Sequence, residues 1–324
     1  MQSWIVSNPD FDHVKVGAAV DALNRSSKFS CATENKLIVL PRWFARCILV
    51  VGLLAAVGST ASASDARIYL TKGAIAISKL DFEQAIEAYS KGVAEQLSVK
   101  DRAELLMARG LAFDLAKKPD RAEADYTTTV GLVGKSDPDA YETRGHFYFI
   151  HDRLDFALVD YTAGAKLFPN DGRFPNGQGL VFTNQGKFDE AINRFDEAIR
   201  LNPKYGTFYL GRAEAYNRSG RPQRALEDYT KALAQGDLSK GEIERLRAGR
   251  GHAYLRLKDY DAAIKDFSAV LDSSPDFVNV LKWRGLSYQR LGDTERAIVD
   301  FEAVLKLDPS EEAVAKRIRE LSGK

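Results

Sequence analysis

Cysteine is almost missing from this 324-residue chain, and its two copies, Cys31 and Cys47, both fall within the first 63 residues. The rest of the chain can build neither a disulfide framework nor a thiolate metal site, and it tolerates an oxidising compartment without misbridging. Histidine is as scarce: beyond residue 63 only His146, His151 and His252 occur. His146 and His151 stand five apart rather than at the i, i+4 spacing of a helical zinc pair, and no H-E-x-x-H is present. No metal and no cofactor are expected. Charge of one sign is missing too. The 46 Lys+Arg against 45 Asp+Glu leave a net +1, so no basic excess points to nucleic acid.

Catalytic and nucleotide motifs are absent in the same way. The stretch Gly131-Leu132-Val133-Gly134-Lys135-Ser136 resembles a phosphate loop, but Thr129 holds the place of the required glycine and no strand precedes it. Gly177-Gln178-Gly179 lacks the third glycine of a dinucleotide fingerprint. No nucleophile motif frames any serine. The chain does not read as an enzyme.

What the chain has in quantity is repetition. Gly73, Gly110, Gly145, Gly179, Ala213, Gly251 and Gly285 mark seven copies of one pattern. Twelve residues past each anchor stands an alanine: Ala85, Ala122, Ala157, Ala191, Ala225, Ala263 and Ala297. Sixteen past it stands an aromatic: Tyr89, Tyr126, Tyr161, Phe195, Tyr229, Phe267 and Phe301. Three past it, six copies carry another aromatic, and the first copy has Ala76. A small residue on one helix facing alanine on the next lets two antiparallel helices approach closely, and a larger side chain there costs about 1–3 kcal/mol. The aromatics fill the space beside the crossing. Gly186, Gly220 and Gly292 sit in the turn between the helices, where a positive φ is needed.

Successive anchors are 37, 35, 34, 34, 38 and 34 residues apart. A proline closes the copies that end at Pro169, Pro203, Pro275 and Pro309, and the three longer steps are those without one. Proline stops a helix, so residues 95–101, 131–137 and 236–241 are expected to form longer connections. After Pro309, Val314, Ile318 and Leu321 make one apolar face of a last helix, as the end of a stacked array requires.

Anchor, alanine and aromatic at these spacings resemble the tetratricopeptide repeat family, over roughly residues 66–311. The tryptophan that begins many family repeats is mostly absent, Trp283 being the nearest. The resemblance implies an all-α, right-handed superhelical solenoid of about seven helix-turn-helix units (residues 64–311) with a C-terminal capping helix (residues 312–324). It also implies a concave groove lined by the first helix of each copy. By spacing from the anchors, that face offers Asn176, Asn184, Asn217, Arg218, Arg245, His252, Arg256, Lys282, Gln289 and Arg290. The later copies read as basic, whereas Leu70, Ile77, Met107, Leu111 and Leu115 make the first two copies read as apolar. The partner expected is a protein or peptide, with an acidic or C-terminal-carboxylate segment on the basic part and no nucleic acid. The lysine–asparagine pairing of the chaperone-tail-binding subset is not matched, because Leu286 stands four residues after Lys282.

No apolar run reaches the roughly twenty residues of a membrane-spanning helix. The run at residues 47–58 follows Arg42 and Arg46 and precedes Ser59-Thr60-Ala61-Ser62-Ala63, the layout of a secretory signal peptide cleaved after Ala63. Residues 42–63 therefore read as a signal peptide or an uncleaved membrane anchor, and residues 1–41 as an extension, disordered or outside the mature chain. The protein is expected to be an exported scaffold or adaptor, periplasmic or secreted. The alternatives are a membrane-anchored assembly factor with its repeats outside the cytoplasm, or a regulatory subunit of an envelope enzyme or export system. Membrane contact follows only if the leader is retained.

Overall fold

The computed structural model describes residues 65–323, and the extension and leader lie outside them. The described residues hold fifteen α-helices and no strand. They belong to two compact units, Met1–Gly177 and Gln178–Lys324.

The first unit contains α1 (Asp65–Ser78), α2 (Phe82–Val93), α3 (Val99–Leu115), α4 (Pro119–Val133), α5 (Pro138–Ile150) and α6 (Leu154–Leu167). The divide falls within α7 (Arg173–Asn184). The second unit continues with α8 (Phe188–Leu201), α9 (Gly206–Arg218), α10 (Pro222–Gln235), α11 (Lys240–Arg256), α12 (Tyr260–Leu271), α13 (Val278–Leu291), α14 (Thr294–Leu307) and α15 (Glu312–Leu321). Each copy is thus a pair of helices, and α15 lays Val314, Ile318 and Leu321 against the core of the last pair.

The repeated residues pack as their spacing predicts. All seven alanines at the helix crossing are fully buried, and all seven aromatics that follow them are 0–3% exposed. These rings lie directly on the anchor glycines: a Cβ on Gly110 would stand 2.7 Å from Tyr126, and one on Gly285 2.8 Å from Phe301. The same ring also meets the next copy. Tyr161 lies on Gly177, Phe195 on Gly211 and Tyr229 on Gly249. One aromatic therefore joins its own pair and braces the following one.

The longer steps are taken up differently from the sequence expectation. The connections at residues 94–98, 134–137 and 236–239 fall within the same length range as those that hold a proline. The extra residues lengthen helices instead: α3 and α11 each have 17 residues and α4 has 15. Local caps make this possible. Ser98 accepts from the Asp101 amide, and Ser239 and Glu242 form a full capping box, so the following helix begins early.

The turn inside every copy holds a left-handed residue seven positions past the anchor. Glycine fills it at Gly186, Gly220 and Gly292, but Leu80, Lys117, Asp152 and Lys258 adopt φ of 61–64° there. A side chain in that conformation costs about 1–2 kcal/mol, partly offset by the greater chain entropy of glycine. Lys117→Gly and Lys258→Gly are each expected to raise stability by about 0.5–1 kcal/mol, and Gly292→Ala to lower it by about 1 kcal/mol. Denaturant midpoints measure both.

Candidate partner-binding site

The side chains singled out in the sequence lie on the first helices of the copies, and their surroundings divide them into three sets. The first set is buried structure. Ile77, Met107 and Leu111 are 1–4% exposed and belong to the core between the helices of the first unit. The apolar stretch expected along the first two copies is therefore packing, because these residues meet neighbouring helices.

The second set is already neutralised. Arg245 Nε stands 2.8 Å from Glu214 Oε1, a close charge contact in which the N–H is not aimed at the oxygen. Lys282 Nζ donates to Glu311 at 2.6 Å, and Gln289 Oε1 accepts from Arg317 at 3.0 Å. Outside the residues singled out above, Arg173 of the first unit is held in the same way, bridging Asp139 and Asp171, both at 2.6 Å.

The third set keeps its capacity. Arg218, Arg256 and Arg290 are exposed, and none meets an acidic side chain among the described residues. Each stands five residues past its anchor, in the last turn of α9, α11 and α13, where a cation also suits the helix dipole. Arg218 lies 5.5 Å over the Phe188 ring, and Arg256 Nη1 donates to the Asn217 carbonyl at 2.6 Å. Asn184 occupies the same place in the fourth copy and is exposed. Asn176, in the first unit, is half-buried with Oδ1 enclosed and unpartnered.

Asn217 and His252 form the floor beside Arg256. Asn217 is 7% exposed and donates through Nδ2 to the Gly249 carbonyl at 3.0 Å, with His252 Nδ1 3.4 Å away. The His252 ring leans on Trp283 at 4.9 Å. Burial, and then the neighbouring Arg256, push the His252 pKa below its ordinary value of 6.5. The folded chain thus favours neutral imidazole and takes up fewer protons than the unfolded chain as pH falls through about 6.5. Stability is expected to drop between pH 7.5 and 5.5, and the drop is expected to be smaller in His252→Gln. Denaturation at the two pH values reads the difference.

Sequence reasoning missed a second register. Arg109, Arg144, Arg212, Arg250 and Arg284 stand one residue before their anchors, and Asp125, Asp160, Asp228, Asp266 and Asp300 stand fifteen after them. Each pair is bidentate with both bonds at 2.7–2.9 Å, and the aspartates are 1–6% exposed. Spare guanidinium groups reach back to the preceding copy: Arg109 to Ser90 at 3.3 Å, Arg284 to Ser268 at 3.1 Å and Arg212 to Asp196. The signal was available in the alignment of copies. The first and fourth copies break it, with Lys72 and Ala88, and Gln178 and Arg194.

Paired helices, glycine–aromatic crossings and the left-handed turn in every copy define a helical repeat scaffold. The chain belongs to the tetratricopeptide repeat family, whose repeat matches residues 70–141, 176–239 and 249–312. Proteins of this family are in general non-catalytic scaffolds for protein–protein interaction. The chain is 27% identical over 211 residues to the DnaJ protein P58IPK homolog of Arabidopsis thaliana, covering 58% of this chain and 43% of that protein. It is 25% identical over 169 residues to Hsp70-Hsp90 organizing protein 2 of the same plant, covering 51% and 26%. It is 26% identical over 119 residues to the peroxisomal targeting signal receptor of Candida glabrata, covering 37% and 20%. The chain spans less than half the length of each. A tetratricopeptide repeat protein from Parabacteroides merdae superposes with a TM-score of 0.57 at 20% identity, covering 80% of this chain and 99% of that one. The APC/C hetero-tetramer Cut9-Hcn1 gives 0.62 at 17%, covering 84% and 58%. These likenesses show the fold.

Proposed function

We propose that this protein is a non-catalytic adaptor of the cell envelope that holds an acidic or C-terminal-carboxylate segment of a protein partner. Arg218, Arg256 and Arg290 form the anion-binding row. The observation that carries this reading is that row: three exposed guanidinium groups in one register, none meeting an acidic side chain among the described residues. The planar guanidinium fork suits carboxylates better than an ammonium does. Arg245 and Lys282 contribute less, since Glu214 and Glu311 already answer them. The organizing protein and the receptor among the relatives favour a protein ligand. An envelope location rests on the leader-like layout of residues 42–63 in the sequence. If the apolar run at residues 47–58 is retained, the same repeats serve as an anchored assembly factor or a regulatory subunit.

Reversing Arg218, Arg256 and Arg290 to glutamate together is expected to abolish capture of the native partner while leaving the helical circular dichroism unchanged. Undiminished capture would overturn the assignment. N-terminal sequencing of the protein from its own cell tests export: a chain that begins at Ser64 supports cleavage, and one that begins at Met1 excludes it.

A further inference from the structure

The first copy exposes a face that every later copy buries. Five residues before the anchor stand Leu105, Ala140, Phe174, Phe208, Leu246 and Val280, all 0–2% exposed, whereas Ile68 in the first copy is 44% exposed. Two residues past the anchor stand Ala112, Phe147, Val181, Ala215, Ala253 and Ser287, all 0–3% exposed, whereas Ile75 is 45% exposed. In later copies this side of the first helix receives the second helix of the copy before it, as when Tyr161 seats on Gly177 or Tyr229 on Gly249. Thr71 holds that seat in the first copy. The far end of the array is finished by contrast, since α15 covers α14 and leaves Lys316 and Glu320 outward.

We propose that the open face of α1 docks an amphipathic helix of a partner protein. That helix stacks as the second helix of a preceding copy would, and it presents an acidic side chain to Lys72. The first ground is continuity with the interface between copies, which sets the shape of the occupant: a helix with a small-residue seam and a bulky side chain over Thr71. The second ground is charge. Arg67 and Lys72 are exposed and are the charged side chains described on α1. Lys72 occupies the place from which Arg109, Arg212 and Arg284 reach back to Ser90, Asp196 and Ser268 of the preceding copy. Ala88 stands where five of the later copies supply aspartate, so the first copy provides Lys72 with no carboxylate there. A second copy of this chain is a poor occupant. Each second helix among the described residues already carries a following helix, including α14 beneath α15.

A photo-cross-linking amino acid placed at Ile75 of the full chain in its native cell tests this. The same residue at Val299, exposed on α14, is the control. The expected adduct from position 75, and not from 299, is a helix-forming segment of another protein that contains an acidic residue. A synthetic peptide of that segment is then expected to bind the purified full chain. Its affinity should fall about tenfold or more with Ile68→Asp plus Ile75→Asp, and about tenfold with Lys72→Glu. Changing the acidic residue of the peptide to lysine should restore binding to the Lys72→Glu protein. Adducts to residues 1–64 of the same chain or to a second copy, the same adduct from position 299, or no adduct would each overturn the proposal. So would peptide binding indifferent to all three substitutions.

Discussion

Asp160→Ala is expected to destabilise the protein by about 3 kcal/mol, the low end of the loss when one partner of a buried ion pair is removed. Asp160 is 1% exposed and accepts from Arg144 Nε at 2.8 Å and from Nη2 at 2.7 Å. Taking the carboxylate away leaves a largely buried guanidinium without its bidentate partner. Burial pushes the Asp160 carboxyl above its ordinary pKa even though Arg144 pulls it down, so desolvation is the larger influence on this group. The pair is therefore expensive to split and not especially stabilising as a whole. Replacing both partners by apolar residues, Arg144→Met with Asp160→Leu, is expected to be close to neutral. Guanidinium denaturation of the two variants decides it: equal losses in both would show that the pair itself, and not the orphaned arginine, carries the energy.

Gly164→Ala is expected to cost about 3 kcal/mol, at the upper end for overpacking a core. The added Cβ would lie 2.0 Å from Cε1 of Phe174 and 2.4 Å from Cδ1, and that ring is fully buried. Neither the helix nor the ring can give way without moving the α6–α7 contact. Gly131→Ala is the matched control. It also lies in a second helix, nothing stands within 4 Å of its missing Cβ, and it is expected to gain up to about 1 kcal/mol from helix propensity. Thermal or denaturant unfolding of the two single variants should move in opposite directions.

Much of this fold was legible because its contacts recur at fixed sequence distance. Glycine, alanine and aromatic at one spacing can only be a repeated helix crossing, and the buried alanines and rings follow from it. Loop lengths were misread because the absence of a proline says where a helix need not stop, whereas Ser98 and Ser239 decide where the next one starts. The candidate site was half legible. Spacing placed Arg245 and Lys282 on the correct helices, but the acids that neutralise them are Glu214, on another helix, and Glu311, 29 residues from Lys282. No periodicity announces those partners. Met107 and Leu111 failed for a related reason: a helix face says which residues share a side, and only the neighbouring helices decide whether that side is open.

The gap in the arginine–aspartate register at the fourth copy also bears on how the array comes apart. A stacked repeat protein behaves as a line of coupled elements, and an opening spreads from wherever the local free energy is lowest. Terminal copies fray in any such line, so the missing pair in the first copy adds little. The fourth copy is interior, and with Gln178 and Arg194 it lacks the buried charge clasp that its neighbours share. Since a whole pair is close to neutral against apolar packing, this gap does not by itself lower the stability of the fourth copy. Contacts such as Phe195 on Gly179 join its helices, and no single substitution there strands the partner of such a pair.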